Sequence, residues 1–110
     1  MSVRVENYLI YGCKFGEEFT REFWEQDFRD EMEWDEDKPN DKPYFITDGM
    51  NGDYTFFGFI CQLSDGGDDD YEAKEIDFKY NERAIMGKLL ELYPDMELPN
   101  ITLWYLPHYV

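Results

Sequence analysis

Cys13 and His108 are the residues whose types could make a nucleophile and its base. A thiol attacks as the thiolate, which His108, the sole histidine, would have to generate from beside it in space. Cys13 lies in an apolar run and His108 near the C-terminal end of the sequence, so a buried structural thiol is the simpler reading. The second cysteine, Cys61, is also in an apolar run and makes no CxxC spacing with the first, and no histidine pair exists to hold a transition metal. GxGxxG, P-loop and GxSxG patterns are absent. Carboxylate pairs for acid–base work are so frequent among 26 acidic residues that they single out no pocket. The chain is expected to carry no catalytic residue, to use no cofactor and to be no enzyme.

A hard cation is the remaining metal candidate. Asp65-Gly66-Gly67-Asp68-Asp69-Asp70-Tyr71-Glu72 is dense in oxygen ligands, but calcium loops need them in order, with glycine sixth and glutamate twelfth. Counted from Asp65, those places hold Asp70 and Ile76. A solvated acidic loop is expected there, and no metal site.

What the sequence concentrates is charge. Between Glu17 and Asp41 stand 12 acidic residues against Arg21, Arg29 and Lys38, a local net of −9 within a total of −16. Asp65 to Asp77 adds seven acids against Lys74 alone. Like charges repel across a small surface, and folding does not require them to be gathered. A merely solubilising face, or the general acidity of a halophile, would also be acidic. Against general acidity, Lys and Arg are retained but left mostly outside the two blocks, and large aromatics are kept. The same charge disfavours direct contact with nucleic acid or anionic lipid.

This charge pattern resembles that of small phage or mobile-element proteins that imitate DNA and block host DNA-binding enzymes. The resemblance is one of composition over about a third of the chain. It implies a cytoplasmic inhibitor whose carboxylates occupy the Lys- and Arg-lined channel of a basic, nucleic-acid-binding partner protein. The expected partner-binding residues are Glu18, Glu22, Glu25, Glu33, Asp35, Glu36 and Asp37, extended by Asp68, Asp69 and Asp70. The alternative is a non-enzymatic interaction or assembly module. In it the aromatic strands form the interface, as in a homodimer, and Tyr54, Phe56 and Trp104 supply the energy.

The elements that would position these residues follow from periodicity. Val3 to Lys14 reads as a strand. Phe19, Phe23, Trp24, Phe28 and Met32 read as the apolar face of one helix, with Glu18, Glu22, Glu25 and Glu33 opposite and Arg29 answering Glu25. Trp34 to Pro43 is a loop. Tyr44–Thr47 and Tyr54–Leu63 flank Asn51-Gly52 as a hairpin. A short extended segment is expected around Ile76 and Phe78. Asn81 caps a second helix that Pro94 stops, with Ile85, Met86, Leu89, Leu90, Leu92 and Tyr93 buried. Ile101 to Leu106 reads as a strand buried on both faces and ended by Pro107. In 110 residues, 43% of them hydrophobic and 19% aromatic, this makes one α+β domain spanning 1–110. Its sheet has about four strands with two helices on one face, in βαββαβ order. No apolar run reaches the ~20 residues of a membrane span, no signal-like segment opens the chain, and both cysteines are expected reduced.

Overall fold

The computed structural model describes residues 5–35, 37–38, 42–49, 51–64 and 81–109. In chain order the elements are β1 (Val5–Phe15), α1 (Glu17–Trp24), α2 (Arg29–Met32), β2 (Tyr44–Thr47), β3 (Thr55–Ser64), α3 (Glu82–Leu92) and β4 (Thr102–Tyr109). The strands form one antiparallel sheet in the order β2-β3-β1-β4. This is a small α+β fold with the split βαβ connectivity. β1 is apolar at both parities, the pattern of a strand buried on both faces, and it is central.

One face carries the helices. Cys13, Phe45, Phe57 and Phe59 of the sheet close a core with Phe23 of α1, Met32 of α2, and Ile85 and Leu89 of α3. Thr20 and Thr55, both fully buried, join α1 to β3 through hydroxyls 2.6 Å apart. Thr20 gives its single proton to the Gly16 carbonyl at 3.0 Å, so Thr55 supplies the proton between them.

The continuous helix expected from Phe19 to Met32 is two helices. Phe23 and Phe28 both pack on Phe45, with ring centroids 4.6 and 6.4 Å from it. Five residues apart, they would diverge by about 140° on one helix, so the chain breaks between them. Trp24, expected in the buried face, is 37% exposed instead. Its ring lies against Gly52, whose φ of 70° only glycine adopts freely, and its Nε1 donates to Thr47 at 3.4 Å. The Glu25–Arg29 pair is not made, because Glu25 caps α1 while Arg29 turns to Asp30 and Glu33.

β4 also departs from expectation. It runs through Pro107 and lies at an edge among the described strands, with Leu103 and Tyr105 exposed on its helix-side face. A proline holds its place in a ladder when its missing N–H side faces outward, which only an edge allows. On α3, Asn81 caps as expected, its side chain accepting from the Ala84 amide at 3.1 Å. Leu90 is exposed and Met86 half-buried, because Ile85 and Leu89 alone face the core squarely. The segment expected around Ile76 and Phe78 lies outside the described residues.

The second face of the sheet has a core of its own: Tyr8, Ile10, Tyr44, Ile46, Phe56, Ile60 and Leu106, flanked by Trp34, Tyr54 and Trp104. The sheet bends to make it. Thr55 pairs with Phe15 and His108 with Glu6, so Tyr54 and His108 belong to opposite ends of β1, roughly 30 Å apart on a flat sheet. Their side chains nevertheless meet at 2.8 Å. Between those ends Gly12 faces Gly58. A Cβ on Gly12 would stand 2.0 Å from the Phe57 carbonyl oxygen, and one on Gly58 2.1 Å from that of Tyr11. The paired glycines are where the strands can fold inward, and the Trp104 and Phe56 rings meet across them at 5.3 Å.

Candidate functional site: the acidic surface

Gly16 gives α1 no side-chain cap, and Glu17 and Glu18 occupy its first turn, where negative charge suits the positive end of the helix dipole. Glu17 is bound by Arg21 one turn on, and Glu18, Glu22 and the capping Glu25 are exposed. The turn after α1 presents Asp27, and α2 presents Asp30, whose side chain is 96% exposed, and Glu31. The helix break therefore adds three carboxylates to the surface. A single-helix wheel misses them, although the local charge count contains them.

The segment is anchored to the β2 edge of the sheet. Glu33 makes a parallel bridge with Phe45, and the Trp34 amide donates to the Phe45 carbonyl at 2.7 Å. Glu33 is half-buried and pairs with Arg29 at 3.7 Å, so it is less available than expected. Asp35 organises the next turn by accepting from the Asp37 amide at 2.9 Å, and both side chains stay exposed. Lys38 folds back onto the end of α2, donating to the carbonyls of Asp30 at 3.0 Å, Glu31 at 3.1 Å and Glu33. A cation is favourable at a helix C-terminus, and this one also lies 5.3 Å from the Tyr44 ring. Arg21, Arg29 and Lys38 are thus all engaged within the segment. Glu36, Asp68, Asp69 and Asp70 lie outside the described residues, as does the loop weighed for calcium.

Beside this surface a cavity of about 500 Å³ opens between β2 and α3, lined by Met32, Tyr44 and Ala84 with Lys42, Arg83 and Lys88 at its rim. Glu31 and Glu91 also line it, and Glu91 pairs with Lys88 at 3.5 Å, so its charge is mixed.

The second polar centre lies inside the bent sheet. Tyr54 is pushed up to about 12, first by burial and then by Asp48 and Asp53, while burial lowers His108 against the opposing pull of Glu6 and Asp48. The Tyr54 hydroxyl and His108 Nδ1 share a hydrogen bond of 2.8 Å, and the imidazole tautomer sets which of them donates. Tyr8 donates to Glu6 beside it, and its ring meets that of His108 edge-on at 5.9 Å. Asp48 is buried, and its carboxylate accepts from the amides of Asn51 and Asp53 at 3.2 Å each, shaping the β2–β3 turn.

Cys13 is not beside His108. It faces the helices, donates to the Phe57 carbonyl at 3.6 Å and is pushed up to about 12 by burial, whereas His108 belongs to the other face. That removes the thiol–imidazole pair. Tyr54, Phe56 and Trp104 pack into the concave core, so the apolar groups available to a partner are others: Leu103, Tyr105, Leu90 and Trp24. Among the described residues, no helix is long and apolar enough to cross a membrane. No protein family, curated protein or solved structure matches the chain.

Proposed function

We propose that the protein is a non-enzymatic inhibitor that offers its acidic surface to the basic channel of a nucleic-acid-binding protein, as a DNA mimic of the phage or mobile-element type acting in the cytoplasm. One observation carries the reading. Glu18, Glu22, Glu25, Asp27, Asp30, Glu31, Asp35 and Asp37 are all exposed, while the segment's three cations are consumed in local contacts. The outward surplus of negative charge is therefore left for a partner. Its carboxylates sit on short helices and hydrogen-bonded turns pinned to a sheet, so little ordering would accompany binding. Complementary charge would speed association and make it salt-dependent.

Capture of partners from a lysate at low and high salt, with mass spectrometry of what salt releases, tests this directly. Basic nucleic-acid-binding proteins, displaced by added duplex DNA or RNA, are the expected result. Recovery of only neutral or acidic partners, indifferent to nucleic acid, would sink the reading.

A further inference from the structure

The sheet has two edges of opposite character. The β2 edge is covered by Glu33 and Trp34 and bears the acidic segment. The outer side of β4 is paired with no described strand. From Leu98 onward the sequence contains no Asp, Glu, Lys or Arg, although 33% of the chain is charged. Edge strands are commonly blunted with charge, and β4 has only Pro107 near its end. Leu103 and Tyr105, 49% and 60% exposed, lie on this uncharged strand, and Tyr105 leans inward to donate to Asn7 of β1 at 2.8 Å.

We propose that β4 is a self-pairing edge that joins two copies of this chain into one continuous eight-stranded sheet. Pro107 sets the parity: its missing N–H side faces out, so the amides and carbonyls of Leu103 and Tyr105, at the same parity, also face out. An antiparallel twofold pairing centred on Trp104 then sets Leu103 of one copy opposite Tyr105 of the other, as a doubly hydrogen-bonded pair occurring twice. The exposed side chains of both copies gather on the helix side of the joint, and Pro107 limits the ladder beyond it. Charge selects the same partner. Two copies of net −16 repel, and the strand order places the α1–α2 acidic segment of each copy, anchored on β2 through Glu33, at a far end of the joined sheet. A basic partner would find no carboxylate on β4, whereas a second uncharged β4 matches it.

Sedimentation equilibrium from micromolar to millimolar protein, at low and high salt, tests the pairing. A monomer–dimer equilibrium is expected, tightening as salt screens the far charges. Leu103→Lys or Tyr105→Lys, both at exposed positions, should weaken dimerisation at least about tenfold with the far-ultraviolet circular dichroism unchanged. Hydrogen exchange supplies a readout needing no variant: the Leu103 and Tyr105 amides should become protected as protein concentration rises. A monomer throughout, a dimer indifferent to both lysines, or rapid exchange at those amides in the dimer would each overturn the proposal.

Discussion

The Tyr54 hydroxyl and Nδ1 of His108 are hydrogen-bonded across 2.8 Å, joining residues that strand register assigns to opposite ends of the sheet. That contact measures how far the sheet is bent, and it closes a second core in which an aromatic floor, a neutral histidine and a buried glutamate are packed together. The acidic segment is pinned to the edge of this bent sheet, so its rigidity depends on the bend.

The bend rests on two glycines. Gly12→Ala would drive a methyl group to 2.0 Å from the Phe57 carbonyl, and backbone cannot yield as a side-chain tip can. A loss of at least about 3 kcal/mol is expected in urea unfolding, near the upper range for overpacking, with Gly58→Ala alike. Gly16→Ala, where a Cβ meets nothing within 4 Å, is the control and should cost little. Tolerance of alanine at both central positions would mean that the sheet is not folded there.

Tyr54→Phe removes the hydroxyl bonded to His108 while keeping the ring. A buried imidazole nitrogen left unpaired should cost about 1–3 kcal/mol. Thermal unfolding of Tyr54→Phe beside His108→Gln and the double variant would give the coupling. Additive effects of the two changes would place the groups out of contact.

His108 also makes a pH term with a definite sign. Its folded pKa is lowered from the ordinary 6.5, chiefly by burial, so between that value and the lowered one the unfolded chain binds more protons than the folded. The stability this contributes is whole above pH 6.5 and falls as pH drops through the window. Since the acidic residues titrate too, the term is read as wild type minus His108→Gln in melts from pH 8 to 5. A difference that is flat with pH would refute it.

Charge crowding predicts a gain from removal. Replacing Glu18, Glu22 and Glu25 by Lys, each a change of +2, takes the net charge from −16 to −10 at exposed positions. If self-repulsion matters, the variant should be about 1 kcal/mol more stable, or about 4 °C in melting temperature, and moderate salt should stabilise wild type more than the variant. The same variant should associate more slowly with a captured basic partner. Normal, salt-dependent binding by the variant would move the site elsewhere.

Local rules carried the sequence a long way. The hairpin at Asn51-Gly52, the Asn81 cap, the helix ending before Pro94 and the β-rich runs are short-range chemistry, and each holds in the structure. The split α+β order and the exposure of Glu18, Glu22 and Glu25 follow from periodicity. Tertiary contacts decided the rest. Phe23 and Phe28 reached one partner, Phe45, only by breaking a helix that its pattern alone would continue. Ile101 to Leu106 read as doubly buried because apolar composition does not say whether a strand is covered on both faces, and Leu103 and Tyr105 stand exposed on the helix side of the outermost described strand. The meeting of Tyr54 with His108 was beyond reach of the sequence, since 54 residues separate them and the bend that joins them depends on two glycines being opposite each other, a matter of register.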